Sequence, residues 1–125
     1  MFNFKNRVVV ISGASSGLGA QMAKGFAEQG ADLVLMARRL DRLETLAGEL
    51  SAMGVKCLPV KCDVTDSAMV DDAAAAVEKE FGKVDVLINC AGSAKNAGVI
   101  DMTDEEWDFT MTTDLTSVFY VTRAF

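Results

Sequence analysis

The sequence contains no histidine. That absence removes Ser-His-Asp and Cys-His nucleophilic catalysis, together with the commonest metal ligand. Its three cysteines, Cys57, Cys62 and Cys90, are odd in number and lack Cys-x-x-Cys spacing. Neither a disulfide framework nor a metal site is expected from them, and buried free thiols are the simpler reading. Positive charge is also scarce: 12 Lys and Arg against 18 Asp and Glu leave a net charge of -6. Such a field repels nucleic acid and anionic lipid, so neither is an expected partner. No apolar run approaches the roughly 18 residues that a membrane span requires. The N-terminus enters Val8-Val9-Val10-Ile11 without the apolar core of a signal peptide, which makes the cytoplasm the expected compartment.

What is present is an alternation of strand and helix patterns over 125 residues, enough for one domain with a real core. Val8 to Ser12 is a continuous apolar run, as in a strand covered on both faces. Leu18, Met22, Ala23, Phe26 and Ala27 then fall on one helical stripe. Leu33 to Ala37 reads as a second strand. Asp41 with Glu44 reads as a capping box opening the next helix, through Leu43, Leu46, Ala47 and Leu50. Val55 to Lys61 reads as a third strand. Pro59 interrupts it and, having no N–H to donate, places it at a sheet edge. Val70, Ala73, Val77 and Phe81 mark a helix ended by Gly82. Val84 to Ile88 is a fourth strand, and Thr103 with Glu106 caps a last helix running through Trp107, Met111, Leu115, Val118 and Phe119. The fold class is α/β, with a parallel sheet between helical layers. The last helical period is still running at Phe125 with no capping signal. We therefore expect one domain, 1–125, incomplete at its C-terminus, truncated before later strands.

Between the first strand and first helix lies Gly13-Ala14-Ser15-Ser16-Gly17-Leu18-Gly19. Glycines there allow a tight turn, close backbone approach to an anion and close helix–strand packing. The helix start then offers unsatisfied N–H groups and a positive dipole end, and Ser15 and Ser16 add hydroxyl donors, so phosphate binding is expected. The spacing is G-x-x-x-G-x-G rather than G-x-G-x-x-G, and the Gly-Lys-Ser/Thr ending of a nucleoside triphosphatase loop is missing.

Three motifs in order carry a resemblance: Ser12 to Gly19, then Cys62-Asp63-Val64-Thr65, then Asn89-Cys90-Ala91-Gly92. Together they resemble the short-chain dehydrogenase/reductase family, with 3-oxoacyl-carrier-protein-reductase-like members the most similar in pattern. The resemblance implies a Rossmann-type three-layer αβα fold with strand order 3-2-1-4. It also implies hydride transfer between a nicotinamide cofactor and a carbonyl or alcohol. Gly13, Ser15, Ser16, Gly17, Leu18 and Gly19 would hold the pyrophosphate. Asp63, with Val64, would meet the adenine, while Asn89, Ala91 and Gly92 would line the cofactor and steady the sheet.

An acidic residue ending the second strand usually binds the ribose of NAD(H). Asp32 lies at nearly the right distance from Gly13 but starts that strand rather than ending it, so it is not a candidate. The carboxyl end reads Ala37-Arg38-Arg39. A guanidinium there can pair with a 2′-phosphate, which a carboxylate would repel. NADP(H) is therefore the expected cofactor and NAD(H) the lesser one, with Arg38 leading and Arg39 assisting; family members that prefer NADP carry a basic residue there.

Reducing a carbonyl also needs a proton donor. The family's Tyr-x-x-x-Lys pair has no counterpart here, since the single tyrosine, Tyr120, is followed four residues later by Ala124. Tyr120 reads as a helix-packing aromatic, and the chain alone is expected to be inactive. Asp114 is expected on or beside the inward stripe of the last helix and aligns with the family's active-site asparagine. Aspartate keeps that size but loses the amide donor, leaving a site role and a partly solvated helix position both open. A noncatalytic NADP(H)-binding module is the competing function. Self-association is a third reading, because the fourth strand and the last helix would expose apolar surface. A homo-oligomer is accordingly expected.

Overall fold

In the structure, a computed structural model describing residues 2–93 and 96–125, strands and helices alternate as the periodicity predicts. The order is β1 (Val8–Ser12), α1 (Gly17–Glu28), β2 (Asp32–Ala37), α2 (Leu40–Ser51), β3 (Cys57–Lys61), α3 (Ser67–Phe81), β4 (Val86–Asn89), α4 (Asp104–Met111), a π-helical turn (Thr112–Thr116) and α5 (Ser117–Ala124). All three strand pairings are parallel, in the order β3-β2-β1-β4.

The unbroken apolar run of β1 follows from its position in the middle layer. Val9 and Ile11 join Leu33 and Leu35 against Ala23 of α1 and Leu43, Leu46 and Leu50 of α2. Val8 and Val10 join Val34 and Met36 on the other face, against Val70 and Val77 of α3 and Val121 of α5. Successive side chains therefore alternate between two dry cores, and β1 stays apolar until Ser12. Full burial of each such side chain contributes about 1.5–3 kcal/mol.

Pro59 sits on the edge strand β3, paired with Leu35 through its single hydrogen-bonded side. Two strands begin later than the apolar pattern suggests. The Asp32 carboxylate accepts the Lys56 amide at 2.8 Å, taking the place of a ladder bond before Cys57. Asp85 does the same before Val86, accepting the Val8 amide at 2.8 Å.

Helix starts divide similarly. The Thr103–Glu106 capping box forms in both directions, each bond 3.1 Å. The expected Asp41–Glu44 box does not form, because α2 begins at Leu40 with Arg39 as its cap residue. Asp41 thus lies inside the first turn, where its carboxylate meets Arg39 instead. Asp66 caps α3 by accepting the Ala68 and Met69 amides, a start the apolar stripe did not mark.

The expected single last helix is interrupted at Thr112–Thr116. A π-helical turn carries one extra residue, which rotates everything after it relative to α4. Ser117 donates its hydroxyl back to the Thr113 carbonyl within this turn. Phe119 is exposed while Val121 turns into the core, and Trp107 and Leu115 are exposed as well. Among the described residues, no helix is long and apolar enough to cross a membrane.

At the amino-terminal edge of the sheet, Asp85 also meets Lys83 at 3.0 Å and Arg7 at 3.3 Å. The Val8 amide first, then the Lys83 ammonium, hold its carboxyl down at about 2. A depressed acid stabilises the fold above its unfolded value of 3.8, and that contribution disappears as pH falls toward 2. In thermal melts from pH 5 to 2, the wild type should lose its advantage over Asp85→Asn across that window. A constant difference between the two proteins would contradict this.

Candidate functional site at the carboxyl ends of the strands

The four strands deliver their carboxyl ends to one cleft of about 870 Å³. It lies where the chain reverses direction across the sheet, between β1 and β4, the place where open parallel sheets bind ligands. Gly13, Ser15, Ser16, Leu18 and Gly19 line it after β1, and Arg38 and Arg39 after β2. Asp63, Val64 and Thr65 follow β3, while Ala91, Gly92 and Ser93 follow β4. The opposite wall comes from α4 and the π turn, through Glu105, Asp108, Phe109, Thr112 and Thr113.

Ser12 fastens the cleft floor. Its side chain is buried, and its hydroxyl accepts the Cys90 and Ala91 amides at 3.1 Å each. The turns after β1 and β4 are thereby drawn so close that a Cβ on Gly13 would lie 2.7 Å from Ala91 backbone. Gly13 also has φ +68, so glycine is required there twice over. Gly19 is constrained by contact alone, as any Cβ would overlap the Gly13 carbonyl.

Gly17 differs from both. It opens α1 at φ +57, with nothing within 4 Å of where a Cβ would be. The first helical hydrogen bond here is Ala20 to Ser16 at 3.4 Å, so no earlier turn supplies acceptors for the Gly17, Leu18 and Gly19 amides. Ser16, the cap residue, makes no side-chain capping bond. Amides at a helix start, bare backbone and an adjoining cleft together fit an anionic group such as a pyrophosphate.

Arg38 and Arg39 are both exposed. Among the described residues Arg38 forms no ion pair, whereas Arg39 lies 3.4 Å from Asp41. Asp63 Oδ1 accepts the Thr65 hydroxyl at 2.7 Å and the Thr65 amide at 3.0 Å. The Thr65 hydroxyl, followed by its amide, lowers the Asp63 pKa and keeps the carboxylate ionised; nearby Arg38 adds to this. Burial pushes the Cys62 thiol up to about 11, with Asp63 and Asp66 adding to the shift. It remains a thiol at neutral pH. Asp32 lies at the other end of β2, as its place in the sequence suggested.

Three residues fall outside the expected arrangement, the first being Gly17, which opens α1 without lining the cleft. Asn89 does not line the cleft; its amide donates to Thr122 Oγ1 at 3.2 Å and ties β4 to α5. Asp114 is exposed rather than on an inward stripe, because the π turn rotates it outward. Its Oδ1 accepts the Ser93 amide at 2.7 Å and would lie 3.0 Å from a Cβ on Gly92. A carboxylate suffices for that contact, since only an acceptor is used. Sequence reasoning passed over Ser12, Ser93 and the threonines of the π turn as site residues. For Ser12 a signal existed: a lone hydroxyl ending an otherwise apolar buried strand.

A parallel αβα sheet with a glycine turn opening its first helix, and a cleft across its carboxyl ends, is the Rossmann architecture. Residues 7–125 match the short chain dehydrogenase family, and the chain belongs to it. It is 36% identical over 124 residues to gluconate 5-dehydrogenase of Gluconobacter oxydans (strain 621H), covering 99% of this chain and 48% of that protein. It is 41% identical over 128 residues to NADP-dependent mannitol dehydrogenase of Alternaria alternata, with 99% and 48% covered. The crystal structure of L-sorbose reductase from Gluconobacter frateurii, complexed with NADPH and L-sorbose, superposes with a TM-score of 0.92 at 36% identity. That match covers 98% of this chain and 47% of the reductase. The chain thus spans about half the length of these relatives.

Proposed function

We propose that this chain is the NADP(H)-binding portion of a short-chain oxidoreductase acting on a small carbonyl or alcohol substrate. The observation that carries the reading is the cleft lined both by the start of α1, with its unsatisfied amides, and by Arg38. Support also comes from the names of two relatives, one NADP-dependent and one complexed with NADPH.

When bound, a nicotinamide cofactor supplies or accepts hydride. The chain's own residues bind and orient it. The Gly17, Leu18 and Gly19 amides, with Ser15 and Ser16, hold the pyrophosphate, and Gly13 shapes the turn. Arg38 takes the 2′-phosphate, Arg39 beside it is paired with Asp41, and Asp63 with Val64 receives the adenine. Ala91 and Gly92 line the floor, kept in register by Ser12 and by the Asn89 link to α5. Asp114 acts as a positioning residue: it holds the turn after β4 against the π segment through Ser93. No Tyr-x-x-x-Lys pair lies in this sequence. Cofactor binding, rather than turnover, is therefore the property to measure on the chain itself. By titration calorimetry NADPH should bind about tenfold or more tightly than NADH, as expected from one charge-assisted contact. Equal affinities, or no binding, would overturn the proposal.

A self-associating module is a second reading, favoured by exposed Trp107, Leu115 and Phe119 and by β4 lying at the sheet edge. Sedimentation should show a dimer or larger species, and a strict monomer at high concentration would remove this reading.

A further inference from the structure

We propose that Asp41 sets the strength of cofactor discrimination by holding Arg39 away from the phosphate that Arg38 receives. This rests on the NADP(H) reading above and deepens it. Arg38 and Arg39 both line the main cleft, yet only Arg39 forms an ion pair among the described residues. Its Nη2 lies 3.4 Å from Asp41 Oδ2. Asp41 itself faces a smaller cleft of about 370 Å³ between α1 and α2, which meets the main one at Ser15. The ion pair therefore sits at the border between two clefts and occupies one of the two guanidinium groups with a carboxylate.

The local chain geometry fixes this pairing. Arg39 is the residue before α2, with φ -96 and ψ 88, and Asp41 is the acidic residue of the first helical turn. A carboxylate at that position is favoured by the helix dipole, so it is held where Arg39 can reach it. Arg39 is the leading influence that lowers the Asp41 pKa, and the carboxylate stays charged at neutral pH. With both partners well exposed the pair is weak, so the two arginines can be told apart without a large rearrangement.

Neutralising Asp41 should therefore release a second guanidinium to the 2′-phosphate. By calorimetry, Asp41→Asn should bind NADPH about threefold more tightly, the factor that a surface ion pair of this kind can hold back. NADH affinity should not change. Arg39→Ala in the wild type should alter NADPH affinity by less than about twofold, while Arg39→Ala added to Asp41→Asn should erase the gain. The inference is overturned if Asp41→Asn leaves NADPH binding unchanged. It is equally overturned if the gain survives without Arg39, since Asp41 would then act by plain repulsion. Unchanged NADH binding certifies the folded site, and Asp41→Ser provides the same test if the asparagine variant does not fold. A wild type that binds NADPH no better than NADH would overturn the cofactor reading itself, a result distinct from either outcome of the variants.

Discussion

Gly19→Ala is expected to destabilise the protein by about 2–3 kcal/mol, a melting shift on the order of 10 °C, and to abolish NADPH binding. The added methyl would overlap the Gly13 carbonyl oxygen and come within 3.1 Å of Ala14 Cα. These are backbone atoms, so no side-chain rotation relieves the overlap. The turn must move, and with it the amides proposed to hold the pyrophosphate. Gly25→Ala supplies the control, because Gly25 lies in the same helix with nothing within 4 Å of a Cβ. It should stabilise by about 0.5–1 kcal/mol, the ordinary benefit of removing a helical glycine. Gly17→Ala falls between them: the space is open but φ is +57, at a cost of about 1–2 kcal/mol. Circular dichroism melts and calorimetric titration of the three variants give the ranking. Equal melting temperatures for the Gly19 and Gly25 variants would show that the turn does not need its close approach.

The glycines of the turn, Gly13, Gly17 and Gly19, illustrate what a sequence can and cannot convey. Their spacing marked a turn opening a helix, because strand and helix periods flank it. Which glycine is required by contact and which by conformation depends on Ala91 and the Gly13 carbonyl, and the former is far along the chain. The same division holds elsewhere. β1 was legible since both its faces are buried, and Pro59 marked an edge by its missing donor. The starts of β3 and β4 were not, because the carboxylates of Asp32 and Asp85 stand in for ladder bonds. The π turn left no trace in the apolar pattern, as one inserted residue shifts the phase without breaking the period. Of the two positions left open for Asp114, the structure shows the solvated one, from which its carboxylate accepts the Ser93 amide. Arg38 was expected to lead and Arg39 to assist, but the ion pair of Arg39 with Asp41 was not legible in the sequence.

Arg38→Ala is expected to weaken NADPH binding about 10- to 100-fold, the equivalent of one charge-assisted hydrogen-bonded contact at roughly 1.5–3 kcal/mol. NADH, which has no 2′-phosphate, should be affected by less than about twofold. The difference arises because Arg38 is exposed at the carboxyl end of β2 and engages no carboxylate in an ion pair among the described residues. No salt bridge has to be broken before it meets an anion. Arg38→Lys should lose part of the affinity, since an ammonium keeps the charge but not the two-pronged geometry. The wild-type preference for NADPH should also decline with added salt, as expected for a contact between exposed charges. Equal losses for both cofactors on Arg38→Ala would mean that this side chain supports the shape of the cleft, and the 2′-phosphate would then have to be met at another part of its wall.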